Sequence, residues 1–306
     1  MSKSLLFIEN IASGQQRTQL DEFKHEIKQL QWKITHRSFD PRESDPPTME
    51  SLLEGLENFD GVVGIGGDGT VSSLANHMKG KEIPLFIYPG GTGNLIAQNL
   101  YTQLDVPYLC HILENWDVCK FDLGCVRSMS ETRSFLMLAG AGTDAEMIRD
   151  SEELKPTFGI LAYIGALVQQ MDQEPVNLNL TIDGQKIDEP HAVAVLVANL
   201  GRLNFRLPLV KAIDPRDELL DVIVIREFNW GIFAQSVMQT LQEFLGDTSV
   251  ERPQFGLYRG KTIDVHCDRP LPLQQDGELM KGKTPVSFTL QQEKVLLFCD
   301  KDAFQE

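Results

Sequence analysis

Residues 60–70 read DGVVGIGGDGT, an apolar run that ends in the glycine-rich turn Gly66-Gly67-Asp68-Gly69-Thr70. The apolar run predicts a buried strand, and the apolar spacing over residues 71–78 predicts a helix directly after the turn. Strand, glycine turn and helix together form an arrangement that holds phosphate groups. Glycines let the backbone approach an anion closely, and the N–H groups at the start of the helix point towards it.

A second glycine turn follows the next predicted strand. Residues 83–88 run into Pro89-Gly90-Gly91-Thr92-Gly93, and a predicted helix begins at Asn94. In an open α/β sheet, ligands lie at the carboxyl ends of the strands, where both turns are expected. One such turn is a weak signal. Two turns after consecutive strands favour a shared nucleotide site over ordinary strand-to-helix connections.

The first turn differs from two common phosphate-binding motifs. Residues 64–69 formally match the dinucleotide pattern G-x-G-x-x-G, but Asp68 would repel a bare pyrophosphate. Thr70 stands where a P-loop has its lysine. A carboxylate in such a loop is chemically sensible beside Mg²⁺ or a metal-bound water. The sequence therefore indicates metal-assisted phosphoryl transfer, in which positioning and charge neutralisation supply most of the catalysis.

Alternating strand and helix patterns extend on both sides of these turns. Residues 4–8 and 33–39 are predicted strands, and residues 16–31 and 49–56 are predicted helices. Such alternation predicts right-handed crossovers and a mostly parallel sheet. We therefore expect an α/β fold that begins with a Rossmann-like, three-layer nucleotide domain.

The pattern changes after Phe121, where β-strands dominate. Predicted strands cover residues 176–182, 192–199, 219–226, 262–267 and 285–290, with Asp183-Gly184 as a hairpin signal. Two helical stretches, 158–171 and 230–244, interrupt them. We assign residues 1–122 to the nucleotide domain and 123–289 to a β-rich second domain, with residues 290–306 returning to the first.

Composition and charge restrict the partners of this 306-residue chain. Its formal net charge of −16 argues against nucleic acid, whose phosphates require Lys and Arg. The five cysteines form no Cys-x-x-Cys pair and are interpreted as reduced core residues. No apolar run approaches the ~20 residues of a membrane span, and the apolar stretch near the N-terminus is too short for a signal peptide. We expect a cytoplasmic protein without a transmembrane segment.

Five motifs, in this order along the chain, resemble those of the bacterial diacylglycerol-kinase-like lipid kinases. That family shares a catalytic domain with sphingosine and diacylglycerol kinases, and the resemblance covers nearly the whole chain. The motifs are GGDGT at 66–70, P-x-G-T-x-N at 89–94, G-x-x-A-Y at 159–163, D-G-x-L-D-V at 217–222 and D-G-E at 276–278. GGDGT alone also occurs in NAD kinases and phosphofructokinases, so the specificity comes from the ordered set.

The resemblance implies an NAD-kinase-like architecture with a β-sandwich-rich second domain for the lipid substrate. It implies ATP and Mg²⁺ as cofactors, and transfer of the γ-phosphoryl group to a lipid hydroxyl such as that of diacylglycerol. It also implies a set of nucleotide-binding residues: Asn10, Gly66, Gly67, Asp68, Gly69, Thr70, Val71, Ser72, Thr92 and Asn94.

The resemblance assigns roles to several acids as well. Glu278 would be the catalytic base that takes the hydroxyl proton. Asp68 would be the second catalytic residue, a carboxylate of the Mg²⁺–water network at the phosphates, with Asp122 as a further member. A separate structural Mg²⁺ would be bound by oxygen ligands, which suit this ion, from Asp214, Asp217 and the Leu219 carbonyl. Without the resemblance, Glu278 is an ordinary surface acid after a hairpin turn at Asp276-Gly277, Asp122 is a turn cap, and Asp214 and Asp217 belong to a solvated turn. Asp68 needs less support, because a carboxylate in a phosphate-type glycine loop is unusual on physical grounds.

Three positions depart from the family pattern. Leu95 stands where the family usually has Asp, so the metal network loses a carboxylate. Residues 136–139, LMLA, replace the usual F-x-N, although Asp144 still follows. Glu218 replaces the glycine of the D-G pair. These changes leave Asp68 and Glu278 in place and bear on the metal geometry and on the substrate.

Two alternative functions remain open. One is a soluble-substrate kinase of the NAD-kinase type, and the other is a non-catalytic nucleotide-binding regulator, consistent with Leu95. For a lipid kinase we expect substrate at the bilayer surface, on the inner face of the membrane, and no nucleic-acid partner. A homodimer is compatible with the sequence. Residues 201–211 mix basic and apolar side chains; a loop leading into a hairpin is favoured over an interfacial patch.

Overall fold

The computed structural model describes residues 2–13, 17–142, 175–201, 213–226 and 255–304. The chain divides into two compact units: unit 1 is Met1–Phe121 with Glu293–Glu306, and unit 2 is Asp122–Gln292. The helices predicted at 158–171 and 230–244, the motif at 159–163, Asp144 and nearly all of the 201–211 segment lie outside the described residues.

The strands and helices of the described residues are numbered in chain order. Strands β1 to β5 are Ser4–Asn10, Lys33–Phe39, Gly61–Gly66, Leu85–Pro89 and Val118–Phe121. Strands β6 to β12 are Gly124–Arg127, Thr132–Phe135, Leu138–Ala141, Val176–Ile182, Gln185–Ala192, Ala194–Ala198 and Leu220–Ile225. Strands β13 to β18 are Phe255–Gly260, Thr262–Cys267, Pro272–Gln275, Glu278–Lys283, Val286–Leu290 and Val295–Phe298. Helices α1 to α5 are Arg17–Gln29, Met49–Leu52, Asp68–Met78, Leu95–Leu100 and Val106–Asn115, with 3-10 turns at Leu56–Asn58 and Lys301–Phe304.

Unit 1 is built on a six-stranded sheet of order β2-β1-β3-β4-β18-β5. The pairs from β2 through β18 are parallel, and only the edge pair of β18 with β5 is antiparallel. Strand β3 is buried along its whole length, as its continuous apolar run predicts for a central parallel strand. Because β1, β3 and β4 run in parallel, their carboxyl ends meet at one edge of the sheet.

Helices cover both faces of this sheet. Phe23 of α1 stacks on Phe86 of β4, with ring centroids 5.7 Å apart. Gly64 of β3 lies in register with Ile87, the next residue of β4, and so faces the opposite side. There a Cβ on Gly64 would come within 2.6 Å of Leu74, a residue of α3. Unit 1 therefore has the three layers expected of a nucleotide domain.

Unit 2 is a sandwich of two antiparallel sheets. Their strand orders are β10-β9-β14-β17-β6-β7 and β13-β12-β11-β8-β15-β16. One apolar cluster joins the inner faces of both sheets, with Phe135 and Phe288 from the first and Val197 and Val222 from the second. In the first sheet, strands such as β9 alternate buried and exposed side chains, because one face packs on the core and the other meets water. In the second sheet, β8, β11 and β12 are buried along their whole length.

Local sequence signals predict most boundaries of the helices and strands, and three predicted boundaries need correction. The helix predicted over 49–56 ends at Leu52, because Gly55 adopts φ +71° and starts a separate 3-10 turn. The fourth strand begins at Leu85 instead of residue 83. The third helix begins at Asp68 instead of residue 71, so the glycine turn merges into its first turn. The hairpin predicted at Asp183-Gly184 is confirmed, with φ of +48° and +85°.

Among the described residues, no helix has both the length and the apolar character needed to cross a bilayer.

Candidate active site

The two glycine turns of unit 1 pack directly against each other, backbone to backbone. The N–H of Gly90 donates to the carbonyl of Gly66 at 3.0 Å. A Cβ on Gly91 would lie 2.5 Å from the Cα of Gly67, closer than real Cβ atoms come to other atoms. Glycine is therefore required at position 91 so that the turns can approach. The prediction that both turns meet at one edge of the sheet is confirmed.

Asp68 connects the first turn to the helix that follows the second. Its Oδ1 accepts a hydrogen bond from the N–H of Ile96 at 2.9 Å. Ile96 is the second residue of α4, where a backbone N–H has no partner within the helix. The usual source of a partner is the N-cap side chain, but Asn94 makes no such bond. The carboxylate of Asp68 therefore caps α4 from a neighbouring segment.

Asn94 closes the second turn. Its backbone is left-handed, with φ +51°. Its Oδ1 accepts from the N–H of Gly91 at 2.8 Å, and its Nδ2 donates to the carbonyl of Gly91 at 2.7 Å. Two bonds from one side chain fix the shape of the turn. Thr92 lies exposed within it, so its hydroxyl can reach a ligand.

Asn10 connects the end of β1 to the first turn. Its Nδ2 donates to Oγ1 of Thr70 at 2.9 Å, and its Oδ1 accepts from the N–H of Ala12 at 3.0 Å. Thr70 in turn packs so closely on Gly66 that a Cβ there would lie 2.7 Å from Cβ of Thr70. The side chain of Asn10 thus positions Thr70, and it stands beside the turn where the sequence expects nucleotide.

Two of the expected nucleotide-binding residues are placed differently. Val71 is 2% exposed, and its N–H donates to the carbonyl of Gly67 within the helix. Ser72 is 8% exposed and belongs to the next position of the same helix. Because α3 begins at Asp68, the N–H of Val71 is used in the helix and is not available to a phosphate. Residues 68–70, in the first turn of the helix, therefore stand where the sequence expected Val71 and Ser72 to meet the nucleotide.

The turns fit the phosphates of ATP and an accompanying Mg²⁺. The N-cap residue of α3 is Gly67, which has no side chain to cover the helix start, and helix N-termini attract anions. Mg²⁺ in kinases is held by one or two carboxylates together with phosphate oxygens and waters. Asp68, partly exposed at this helix start, is the carboxylate that the sequence predicts for such a site. Leu95, which stands where the family has a second acid, is 9% exposed and packs in the core.

A charged cluster that sequence inspection missed lies one residue before Asn10. Glu9 accepts a hydrogen bond from Nζ of Lys24 at 2.7 Å and lies 2.7 Å from Nε2 of His36. Burial raises the pKa of Glu9, but the hydrogen bond and charge of Lys24, together with His36, outweigh it and hold the pKa below its usual value. The three residues are far apart in sequence, so no local pattern could have signalled them.

In unit 2, the Asp276-Gly277 hairpin joins β15 to β16 and places Glu278. Both turn residues have positive φ, +44° and +87°, as the Asp-Gly signal predicts for a tight hairpin. The carboxylate of Asp276 accepts three backbone hydrogen bonds of 3.0–3.1 Å from the N–H groups of residues 136–138. The departure from F-x-N in that segment therefore matters little for this contact, because its backbone makes the bonds.

Glu278 is the first residue of β16, with a side chain that is 64% exposed. Its Oε2 lies 3.3 Å from Nη1 of Arg133, whose Nε also pairs with Glu131 at 2.8 Å. The arginine, which the sequence did not single out, forms an ion pair with Glu278. An exposed carboxylate beside a tight hairpin turn can accept a proton from a bound alcohol.

Asp122 is fully buried in unit 2 and forms hydrogen bonds with the turn at residues 215–218. Its Oδ2 accepts from the N–H of Glu218 at 2.9 Å, and its own N–H donates to the carbonyl of Pro215 at 2.7 Å. Its carbonyl accepts from Nδ2 of Asn199 at 2.8 Å. Asp122 therefore lies beside the loop that was expected to bind the structural metal, and it positions that loop. Asn199 is a partner of Asp122 that the sequence did not indicate.

The loop expected to bind a structural Mg²⁺ does not fit a metal ion as it stands. Both carboxylate oxygens of Asp214 accept hydrogen bonds from Arg216, at 2.8 and 2.9 Å from its side chain. Asp217 uses one oxygen for the N–H of Leu219 at 3.0 Å and the other for Arg259. A metal would have to displace these donors, and the assignment of Asp214, Asp217 and Leu219 as ligands stays a prediction.

Arg259 supplies positive charge at this loop. It lies opposite Asp221 in the antiparallel pair of β12 and β13, with its Nε 2.9 Å from Asp221 Oδ1. Burial raises the pKa of Asp221, and the charge and hydrogen bond of Arg259 act in the opposite direction. Among the described residues, no group of three or more His, Cys, Asp or Glu side chains is arranged for a metal.

Comparison with known protein families gives two matches that together span most of the chain. Residues 4–126 match the family described as "Diacylglycerol kinase catalytic domain". Residues 138–299 match the family described as "YegS C-terminal NAD kinase beta sandwich-like domain". The two matches follow the change from parallel sheet to sandwich seen in the fold.

Individual relatives agree with these matches. The chain is 27% identical to the Uncharacterized protein sll0036 of Synechocystis over 92% of its own length, and it spans 66% of that protein. It is 24% identical to a Diacylglycerol kinase of Staphylococcus carnosus, covering 99% of this chain and 97% of the relative. A Diacylglycerol kinase of Mycobacterium tuberculosis is 23% identical over 77% of each chain.

Solved structures confirm the predicted fold class. A diacylglycerol kinase structure from Bacillus anthracis superimposes with a TM-score of 0.68 at 18% identity, covering 99% of this chain and 98% of the other. An NAD kinase from Archaeoglobus fulgidus, solved in complex with ATP, gives a TM-score of 0.53 at 15% identity, covering 98% and 95%. The NAD-kinase-like architecture with a β-sandwich second domain is therefore confirmed.

Proposed function

Because this chain belongs to the diacylglycerol kinase family, with a diacylglycerol kinase catalytic domain joined to a YegS C-terminal NAD kinase beta sandwich-like domain, we propose that it is an ATP-dependent lipid kinase. It transfers the γ-phosphoryl group of ATP to the hydroxyl of a lipid such as diacylglycerol. The observation that carries the proposal is the packing of two glycine turns at a helix start, with Asp68 connecting them.

The nucleotide phosphates would bind at the first turn of α3. Residues 67–70 present backbone N–H groups and the positive end of the helix dipole to the anion. Asn10 holds Thr70 in place, and Asn94 holds the second turn, where the exposed hydroxyl of Thr92 would contact the nucleotide. In a chain of net charge −16, such local groups are needed to bind a polyanion.

Mg²⁺, when bound, supplies neutralisation of phosphate charge as the transfer proceeds. Asp68 would hold it, directly or through a water, while its Oδ1 also orders α4. Leu95 stands where the resemblance implies a second carboxylate, so the metal would depend more on phosphate oxygens and waters. The loop of Asp214 and Asp217 has no part in this proposal.

Glu278 would act as the general base. The lipid hydroxyl oxygen forms a bond to the γ-phosphorus, the bond from that phosphorus to the bridging oxygen breaks, and ADP leaves with the electron pair. The hydroxyl proton passes to the carboxylate of Glu278. Arg133, 3.3 Å from Oε2, orients this carboxylate before the transfer.

Radiolabelled ATP and diacylglycerol in mixed micelles test the proposal. We expect Glu278→Gln and Asp68→Asn each to lose at least about a hundredfold in kcat/KM, the range for a lost general base or charge partner. Glu131→Gln, an acid bound to the same arginine, is the matched control and should stay within a few-fold of the parent protein. Equal transfer by all three variants would contradict the site assignment.

Two outcomes would favour the alternatives. Conversion of NAD to NADP, with no labelled lipid, would identify a soluble-substrate kinase of the NAD-kinase type. ATP binding by calorimetry without transfer to any lipid extract would identify a non-catalytic nucleotide-binding regulator.

A further inference from the structure

Two exposed apolar side chains of unit 2 lie on β16 and on the β6–β7 hairpin tip, which is hydrogen-bonded to that strand. Among the described residues, four large hydrophobic side chains are exposed: Ile11, Met129, Leu257 and Leu279. Leu279 directly follows Glu278 and is 45% exposed, and Met129 is 91% exposed at the tip of the β6–β7 hairpin. Single exposed hydrophobic residues are common on protein surfaces. The two side chains therefore indicate a binding surface only if they lie on neighbouring segments.

Hydrogen bonds hold these two side chains on neighbouring segments. Oγ of Ser128, the residue before Met129, donates to the carbonyl of Lys281 at 3.2 Å. The N–H of Lys281 donates to Oε2 of Glu131 at 2.8 Å. A Cβ on Gly282 would lie 3.0 Å from Oγ of Ser128, so the hairpin tip packs closely on β16. The tip and the strand thus form one fixed surface.

The exposed side of β16 combines apolar and basic character. Met280 is 2% exposed and packs in the core, so its neighbours Leu279 and Lys281 point outwards. Lys281, Lys283 and Arg127 are all exposed. The acids of this region, Glu131 and Glu278, are both within reach of Arg133. The surface is therefore locally basic on a chain whose net charge is −16.

We propose that Met129, Leu279, Lys281 and Lys283 form a docking surface for an anionic lipid bilayer. This inference rests on the proposed function, because a base that serves a lipid hydroxyl must reach a membrane component. Apolar side chains that enter the acyl boundary and lysines that meet anionic headgroups are the two contributions of interfacial binding. β16 is an edge strand of its sheet, and Leu279 and Lys281 lie on the face of this strand opposite to Met280 and Glu278.

Co-sedimentation with vesicles tests the surface. The probes are vesicles of phosphatidylcholine alone and vesicles with about a third phosphatidylglycerol; the parent protein should bind the second kind more tightly. Lys281→Gln with Lys283→Gln should weaken that binding roughly thirty-fold, from the usual contribution of a lysine near an anionic surface. Met129→Ser with Leu279→Ser should weaken it by about tenfold or more on both kinds of vesicle.

The fold provides a matched control at the opposite edge of the same sheet. Leu257 on β13 is 46% exposed, nearly the same as Leu279. Leu257→Ser should leave vesicle binding unchanged. The proposal is overturned if the parent protein shows no preference for anionic vesicles, or if Leu257→Ser weakens binding as much as Leu279→Ser does.

A soluble substrate separates this inference from the proposed function. With a short-chain diacylglycerol below its aggregation concentration, the two double variants of the surface should keep the parent's turnover, whereas Glu278→Gln should lose it and still bind vesicles. Loss of turnover on the soluble substrate by the surface variants would overturn the docking role. Vesicle binding without turnover on either substrate would leave the surface intact and contradict the kinase proposal alone.

Discussion

The carboxylate of Asp68 accepts a hydrogen bond from the backbone N–H of Ile96 at 2.9 Å. One side chain thus belongs to the first glycine turn and caps the helix after the second. The bond fixes the distance between the two turns, and it gives Asp68 a structural role in addition to its proposed role in catalysis.

The two roles of Asp68 can be separated by substitution. Asp68→Asn keeps an oxygen that can accept from Ile96 but removes the charge, so it should keep most of the stability and lose phosphoryl transfer. Asp68→Ala removes both and should lower the free energy of unfolding by a further ~1 kcal/mol, the usual value of a helix cap. Urea unfolding and a transfer assay check this. Equal stability of the two variants would exclude the capping role.

Gly91 and Gly67 provide a matched pair for the contact between the turns. A Cβ at Gly91 would lie 2.5 Å from Gly67, whereas a Cβ at Gly67 would lie 3.5 Å from Gly91, an ordinary contact. Gly91→Ala should therefore lower the free energy of unfolding by about 1–3 kcal/mol through overpacking, and Gly67→Ala by much less. Thermal unfolding of the two proteins measures the difference. A greater loss for Gly67→Ala would show that the turns pack differently.

Asp276 should be needed for stability and Glu278 for catalysis, although they are two residues apart. Asp276→Ala removes the acceptor for three backbone N–H groups and should cost about 2–3 kcal/mol of unfolding free energy. Asp276→Asn keeps one oxygen acceptor and should fall between that variant and the parent. Glu278→Gln should leave urea unfolding unchanged while transfer is lost. A destabilised Glu278→Gln protein would count against an exposed catalytic base.

The fold of unit 2 should not depend on a divalent metal at the loop of Asp214 and Asp217. Because Arg216 and Arg259 occupy their carboxylate oxygens, EDTA should leave the Tm of the nucleotide-free protein unchanged. Arg259→Gln should lower stability by about 1–2 kcal/mol, since Asp221 is 7% exposed and loses its cation. A Tm that falls with EDTA and recovers with Mg²⁺ would restore the metal assignment.

Acid should weaken unit 2 through Glu189. The hydrogen bonds of Arg226, at 2.7 Å to each oxygen, outweigh burial and, with Tyr258, hold the pKa of Glu189 below its usual value. A lowered pKa contributes stability that is present above the unfolded-state pKa of about 4.3 and is lost as pH falls through the folded-state value. Glu189→Gln should therefore be less stable than the parent at neutral pH, with a difference that shrinks in acid.

Urea midpoints of both proteins between pH 7 and about pH 3.5 measure this effect. Asp188→Asn, the exposed neighbour on the same strand, is the control and should follow the parent at every pH. A stability difference for Glu189→Gln that stays constant across the range would rule out the linkage.

The residue pattern predicted the parts of the fold that depend on short-range signals. Apolar runs ending in glycines gave β3 and β4 and their turns, because a buried parallel strand and a tight turn each have a local composition. The Asp-Gly pairs at 183–184 and 276–277 predicted hairpins for the same reason. The resemblance, which rested on the order of motifs, gave the sandwich and the candidate residues.

Contacts between distant segments were decided only by the tertiary structure. Nothing in the sequence near Asp68 indicates that it caps α4, or that Asp276 collects the N–H groups of residues 136–138. The loop of Asp214 and Asp217 shows the same limit: its acids suggest a metal, but the folded chain brings Arg259 to them across a strand pair. Glycines and apolar runs act on their own neighbours, whereas the partner of a charged side chain is set by which strands pair, and that pairing is a property of the whole fold.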